Sequence, residues 1–374
     1  MGLQDILKSI QKNVEGTHAS IMTESDIASA SKWVKTPSLD LNRILSGSLY
    51  KGIPSKNLVG IVGPEGTMKS SFMVLCMAQG LQEGFMPFII DTEGGVTDEF
   101  CKRWGLDPSK IGYIYQPWVD KVKSVLAQLK ESKQKNMIIG IDSAGGLDHY
   151  KSFTDALKDD VKADQGQLQK RIRSLLKLLL NICIEQDSIG IVTGHLYGSP
   201  SLIPQPDQIG GGKAMRLFPS ILINLKKTSI KEGTDKSSPI IGAEIKATTI
   251  KNRVYPPFQQ ATVSIDYKEG IEPCAGLIDL MIKAGLIEQS GSWYSYKTER
   301  LAQGKDNAVK ALVDHKELLG ELDKWLESTG YSSVNENVRA AEELLVETMA
   351  GEERNASNRV SKAIGRRSIK ERSG

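Results

Sequence analysis

The stretch that decides the fold is Leu58-Val59-Gly60-Ile61-Val62-Gly63-Pro64-Glu65-Gly66-Thr67-Met68-Lys69-Ser70-Ser71. Its first five residues form a short β-rich run that ends in glycine. A helical pattern follows from Ser70 to Gln82. A Gly-rich turn between a buried strand and a helix points backbone N–H groups inward at a helix N-terminus, where anions are stabilised. In the phosphate-loop pattern a lysine reaches the β- and γ-phosphates, and the next hydroxyl binds magnesium. Lys69 and Ser70 hold those positions, and Gly63 to Ser71 form the candidate cradle. Met68 stands where the strict pattern has glycine. A Gly/Pro turn that merely precedes a lysine is the competing reading.

The surrounding order weakens that competitor. Met86–Ile90 is an apolar strand followed by Asp91-Thr92-Glu93-Gly94-Gly95. Met137–Ile141 is a third strand ending at Asp142, placed to hold magnesium through water. A long helix covers about Gln165–Gln186, and Ser188–Thr193 is a fourth strand. Buried runs alternating with helices predict a mostly parallel sheet covered on both faces. Ile221–Lys226, Ala243–Lys251 and Ala261–Tyr267 look like strands joined more directly, hence antiparallel additions at one side. In open α/β sheets ligands sit outside the carboxyl ends of the strands. Glu93 and His195 both lie just past such ends. Glu93 there suits polarising a water, against a solvated loop acid. His195 suits sensing the γ-phosphate, against a satisfied loop histidine.

Composition sets the outer limits. The chain has 374 residues, 40% hydrophobic and 25% charged, which suits a globular protein with one large domain and smaller ones. Four cysteines, Cys76, Cys101, Cys183 and Cys274, are scattered singly, so zinc ligation and a disulfide framework are not expected. No apolar run of about 18 residues predicts a membrane span. The N-terminus lacks a basic start followed by an apolar region, so no secretory signal is expected. The formal charge is only +3, which neither favours nor excludes a nucleic-acid partner. Leu3, Ile6, Leu7 and Ile10 fall at helical spacing and predict an amphipathic arm that folds back or docks on a neighbour. The expected organisation is an arm over 1–32, a core over 33–270, a small, helical C-terminal domain over 271–334, and a helical, basic tail over 335–374. The last 24 residues carry seven Lys/Arg against three Glu.

With these residues in hand, the chain resembles the RecA recombinase family, most closely its phage UvsX-like branch. The resemblance rests on TPSLDLNRILSG, GPEGTMKSS, IDTEGG, IGIDSAGGL, GGGKAMRLFPS, ATTIKNRVYPPF and SWYSYKTERLAQGKDNA, and it spans about Thr36 to Leu326. Met68 and His195 are the features that lean toward the phage branch. The implied fold is an α/β RecA-type P-loop ATPase core with an N-terminal helical arm and a small C-terminal domain. The implied cofactors are ATP and Mg2+, with Ser70 and Asp142 at the metal. Glu93 is implied as general base. Phe100 and Tyr267 are implied to flank adenine. His195 is implied to link the γ-phosphate to a DNA loop. Lys251 and Arg253 are implied to reach ATP from the neighbouring subunit, offsetting transition-state charge as an arginine finger does.

Two polar segments, Lys151–Gly166 and Tyr197–Gly212, resemble the family's two DNA loops. The implied DNA contacts are Gln165, Gly166, Lys170, Lys177, Gly210, Gly211, Gly212 and Lys213, with Leu202 or Ile203 wedged between bases. For Lys170 and Lys177 a solvated helix face is the competing reading. The implied activity is DNA-dependent ATP hydrolysis by a helical homo-polymer on single-stranded DNA that pairs it with double-stranded DNA. ATP then sits at the subunit interface. Single-strand-binding and loader proteins are further candidate partners, and a bacterial cytoplasm, cellular or phage-infected, is the expected location. The alternatives are a recombination mediator with little turnover and a RecA-fold ring motor.

Overall fold

A computed structural model describes residues 2–27, 29–150, 165–197, 208–233, 235 and 237–329. In chain order its strands are β1 Trp33–Val34, β2 Ile53–Pro54, β3 Asn57–Gly63, β4 Met86–Asp91, β5 Gly112–Tyr115, β6 Met137–Asp142, β7 Ile189–Tyr197, β8 Gln208–Ile209, β9 Ile221–Lys231, β10 Ile240–Asn252, β11 Gln260–Asp266, β12 Gly270–Glu272, β13 Glu288–Ser290, β14 Trp293–Tyr296 and β15 Glu299–Gln303. The α-helices are α1 Leu3–Asn13, α2 Leu39–Ser46, α3 Lys69–Gln82, α4 Asp98–Arg103, α5 Val119–Glu131, α6 Gln165–Glu185, α7 Ala214–Leu217, α8 Leu277–Lys283, α9 Lys305–Leu312 and α10 Lys316–Thr329. The chain divides into one compact unit of Met1–Asp323 and a second of Lys324–Gly374, whose described part is the end of a helix.

Among the described residues ten strands make one sheet in the order β12-β11-β10-β9-β3-β7-β6-β4-β5, with β8 attached to β7. The pairs from β9 through β5 are parallel, and β10, β11 and β12 join antiparallel. The antiparallel expectation holds for Ala243–Lys251 and Ala261–Tyr267 but is corrected for Ile221–Lys226, because β9 runs parallel to β3 and only then turns directly into β10. Strand β3 explains why its sequence is apolar throughout. Val59 and Ile61 enter the core on the α3 face, beside Phe72, Met73 and Met77. Leu58 and Val62 enter the opposite core, beside Leu175, Leu176 and Leu179 of α6 and Val122 and Leu126 of α5. Side chains alternate along a strand, so a strand covered on both faces needs apolar residues at every position.

The arm divides in two. Helix α1 buries none of its residues, and Leu3, Ile6 and Ile10 stay exposed. The stretch after it folds back on its own unit. Lys56 Nζ donates to the carbonyls of Asp26 and Ser29, Ser31 Oγ donates to Asp187 Oδ1 at 2.9 Å, and β1 pairs with β2. The wholly helical reading beyond Ile271 is corrected: β13, β14 and β15 form a three-stranded antiparallel sheet between α8 and α9. Arg300 of β15 stacks on the Trp293 ring of β14, a cross-strand contact, and Lys297 in the intervening turn lies over the Tyr296 ring.

Leu179 is fully buried under the sheet, against the face that carries β3 and β7. Leu179→Ala is expected to cost about 2–5 kcal/mol, read as a lower midpoint in thermal or urea unfolding.

Candidate functional site

The phosphate loop is closed by its own side chains. Thr67 Oγ1 donates to the Pro64 carbonyl at 2.8 Å. A Cβ on Gly63 would meet the Leu225 carbonyl oxygen at 2.6 Å and Thr67 Oγ1 at 2.7 Å, so only glycine lets the loop leave β3 beside β9. Met68 adopts φ 65° and ψ 30°, a left-handed conformation that costs an ordinary residue about 1–2 kcal/mol. That geometry explains why glycine is the usual residue there. Here the thioether side chain packs against the α3-face core, which offsets the strain. Lys69 is buried, and its ammonium donates to the carbonyls of Gly63 at 3.1 Å and Pro64 at 2.8 Å. Burial lowers its pKa from the ordinary lysine value, while the negative charges of Asp142, Glu93 and Glu65 oppose that shift.

The parallel register brings four strand ends to one edge. Gly63 lies beside His195, and Asp91 beside Asp142. Asp142 is buried, and Thr193 Oγ1 donates to its Oδ1. Burial raises the Asp142 pKa above the usual carboxylate range, hydrogen bonds from Ser70 and Thr193 work against this, and Glu93 and Asp91 add to the rise. The peptide between Asp142 and Ser143 is cis. Thr92 reinforces that turn: its hydroxyl lies 2.9 Å from the Ser143 carbonyl oxygen and accepts from Ser143 N–H at 2.8 Å.

Glu93 is positioned by a residue that the sequence shows only as a strand end. Asp91 Oδ1 accepts from the N–H groups of Glu93 at 3.0 Å and Gly94 at 2.8 Å. Its Oδ2 accepts from Val96 N–H at 2.9 Å and from the Tyr113 hydroxyl at 3.1 Å. Glu93 itself remains half exposed. Its Oε1 accepts from Ser143 Oγ at 2.5 Å and lies 3.7 Å from His195 Nε2. Ser143 and Asp91 were thus missed as site residues. The one available signal was a carboxylate two residues before another at a strand end.

Beyond Met68 a cavity of about 790 Å³ opens, lined by Phe100, Arg103, Trp104 and Tyr267. Phe100 and Tyr267, distant in sequence, therefore share one cavity with the end of the phosphate loop. Ser71 is buried at the start of α3.

The residues fit a magnesium-bound triphosphate. The loop offers a buried lysine, the Ser70 hydroxyl meets the Asp142 carboxylate, and an adjacent carboxylate is solvent-accessible. Among the described residues no cluster of three or more His, Cys, Asp or Glu could hold a metal unaided.

Lys251 and Arg253 are not brought to this site. Lys251 pairs with Leu222, which pairs with Gly60, so it lies three residues short of Gly63 and two strands away. That is about 10 Å along the strands and about 10 Å across them. Its ammonium donates to the carbonyls of Arg216 at 3.0 Å and Leu217 at 2.9 Å. Burial and the Arg253 charge lower its pKa.

The candidate DNA contacts divide. Gly166, Lys170 and Lys177 are exposed on α6, and Lys213 is exposed just before α7. Gly210 and Gly212 direct their N–H groups inward, to the carbonyls of His195 and Ile209 at 2.8 Å each, so those two amides are not offered to a phosphate. A Cβ on Gly211 would meet Ala144 at 2.8 Å, and one on Gly212 would collide with Gln169. The glycines therefore let this segment lie directly on the turn after β6 and on α6. Leu202, Ile203 and the side chain of Gln165 lie outside the described residues, as do 151–164 and 335–374.

A family model described as the RecA N-terminal domain matches residues 2–272, and one described as the RecA C-terminal domain matches 275–328. Protein RecA of Rickettsia africae (strain ESF-5) is 28% identical over 328 residues, covering 84% of this chain and 92% of that protein. Protein RecA of Thioalkalivibrio sulfidiphilus (strain HL-EbGR7) is 28% identical over 307 residues, covering 77% and 84%. The crystal structure of the RadB recombinase aligns at 19% identity with a TM-score of 0.48, covering 64% of this chain and 98% of that one.

The Asp142 shift has a definite sign. A raised carboxylate pKa means that the folded state holds the proton more tightly, so stability falls as pH rises through and above the ordinary carboxylate range. Asp142→Asn is expected to raise the nucleotide-free melting midpoint at pH 7 by a few degrees, roughly what 1 kcal/mol gives, and to do so far less near pH 4. The same variant should lose magnesium-dependent stabilisation by ATP, measured by thermal shift.

Proposed function

Because the chain belongs to the RecA family of ATP-hydrolysing recombinases, we propose that it polymerises on single-stranded DNA as a DNA-dependent ATPase and pairs that strand with duplex DNA. The observation that carries this reading is the split site. Lys69, Asp142 and Glu93 lie together at one sheet edge, while Lys251 and Arg253 lie out of their reach. Two cations of that kind serve a triphosphate held by an adjacent copy. Arg253 stands where the family has a second lysine, which keeps the charge and changes the donor geometry.

The chain's own residues then divide the work. Lys69 and the loop amides hold the β- and γ-phosphates. Ser70 and Asp142 hold Mg2+, which when bound neutralises charge on the phosphate oxygens. Glu93, fixed by Asp91 and Ser143, takes the proton of the attacking water. Lys251 and Arg253 of the next copy meet the negative charge of the transition state. Phe100 and Tyr267 flank the adenine.

His195 touches Glu93 from β7, and the Gly210 amide binds the His195 carbonyl directly. Strand β8, at the base of the second loop, also pairs with β7. Loss of the γ-phosphate at Glu93 and His195 therefore loosens the segment that grips DNA. Lys170, Lys177 and Lys213 contact the DNA backbone, which makes binding independent of sequence and sensitive to salt. Leu202 or Ile203 separates bases. Single-strand-binding and loader proteins act as partners, and the setting is a bacterial cytoplasm. Met68 and His195 favour the phage UvsX-like branch. A mediator without turnover would not need an anchored Glu93, and a ring motor does not account for the RecA C-terminal match.

The test is ATP hydrolysis with and without single-stranded DNA. Hydrolysis is expected to need the strand, and equal rates in its presence and absence contradict the reading. Glu93→Gln should keep ATP and DNA binding while lowering turnover by about 100-fold or more. Parent-like turnover in that variant would remove Glu93 from the mechanism.

A further inference from the structure

A second polar cleft, of about 400 Å³, lies between α5 and α6. Asp120, Lys123, Gln167, Lys170, Arg171 and Ser174 line it. Helix α5 follows β5, and α6 leads into β7, so both helix beginnings lie at the carboxyl edge of the sheet, where the phosphate site is. The backbone bridge between Trp118 and Asp148 ties the start of α5 to the turn after β6. The cleft is therefore beside the base of the first proposed DNA loop.

Among the described residues its charge is mostly positive. Helix α6 carries Lys170, Arg171, Arg173 and Lys177 and has no carboxylate before Glu185. The one carboxylate among the described residues lining the cleft, Asp120, is already engaged: Oδ1 pairs with Arg171, and Oδ2 lies 3.4 Å from His149 Nε2. That leaves Lys123 and Lys170, both exposed and without a carboxylate partner among the described residues. Gln167 and Ser174 add neutral donors between them. Two unpaired ammonium groups with amide and hydroxyl donors suit phosphodiester oxygens, which accept from all of these groups. A cleft open along two helices suits a continuous backbone better than an enclosed anion.

We propose that this cleft is an accessory groove for the sugar–phosphate backbone of a nucleic-acid strand, with Lys123 as a contact that extends the path beyond Lys170. The proposal rests on the DNA-binding reading given above. Lys123 reads the backbone only, so its contribution is electrostatic and carries no base preference.

The experiment measures affinity of the full-length protein for a labelled single-stranded oligonucleotide across a salt series. Each lost phosphate contact should flatten the slope of log K against log salt by about 0.7. Lys123→Ala should show that change, equivalent to a relative affinity shift of about 2.6-fold between 50 and 200 mM salt. Lys123→Ala with Lys170→Ala should flatten it by about 1.4. Lys123→Arg should restore the parent slope, which separates lost charge from damaged folding. A parent-like slope in Lys123→Ala overturns the groove while leaving the DNA-binding reading intact. Loss of DNA-free self-assembly with an unchanged slope also overturns it, because the cleft then meets a neighbouring copy. Stabilisation of the parent by inorganic phosphate that Lys123→Ala abolishes, with an unchanged slope, would mark a small-anion site instead. A parent that binds no single strand removes both readings.

Discussion

A buried carboxylate at the end of β6 is the constraint on which the rest depends. Asp142 leaves water at a cost, and hydroxyls from two other elements hold it there: Thr193 of β7 and Ser70 of α3. Those bonds tie the central strands to the helix that follows the phosphate loop. In the proposed reading the fold keeps a destabilising group where the charge of a bound Mg2+ would offset it. Local cost concentrated at a site is the usual mark of function within an otherwise consistent fold. Met68, held in a left-handed conformation at the mouth of α3, is a second instance.

From that edge the parts connect by contact. Asp91 fixes the loop that carries Glu93, and Ser143, next to Asp142, grips the Glu93 carboxylate. His195 touches the same carboxylate, and its carbonyl holds Gly210. The proposed nucleotide and DNA sites are thus separated by two residues of strand rather than by a long relay. In the proposed reading Lys251 and Arg253 serve the site of a second copy, and a repeating contact of that kind that does not close on itself would yield a helical filament. Helix α1 leaves its apolar face unburied.

The central strands and the phosphate loop were legible because burial on both faces leaves an uninterrupted apolar run, bounded by glycine or an acid. Predicted limits such as Met137–Ile141 differ from the observed Met137–Asp142 by a residue or so. Strand β5 left no such signal: it is four residues long, at the sheet edge, and exposes Tyr113 and Tyr115. The three-stranded sheet of β13, β14 and β15 was hidden for a similar reason, since its strands are three to five residues long. Lys69, Ser70, Glu93 and Asp142 were picked out by residue type at motif positions, and the fold brings them to one sheet edge. Asp91 and Ser143 act through backbone and hydroxyl geometry, which no spacing rule reveals. The glycines of 210–212 were read as phosphate donors, whereas two of their amides point inward and the run serves close packing.

The most direct measurement mixes two inactive variants, Lys69→Ala and Lys251→Ala, and follows ATP hydrolysis with single-stranded DNA present. One variant lacks the cradle and the other lacks the cation supplied to a neighbour. If the site is shared between copies, the mixture regains a substantial fraction of parent turnover, because some seams pair an intact cradle with an intact Lys251. A mixture as inactive as its components, while both variants still co-assemble, would contradict the account.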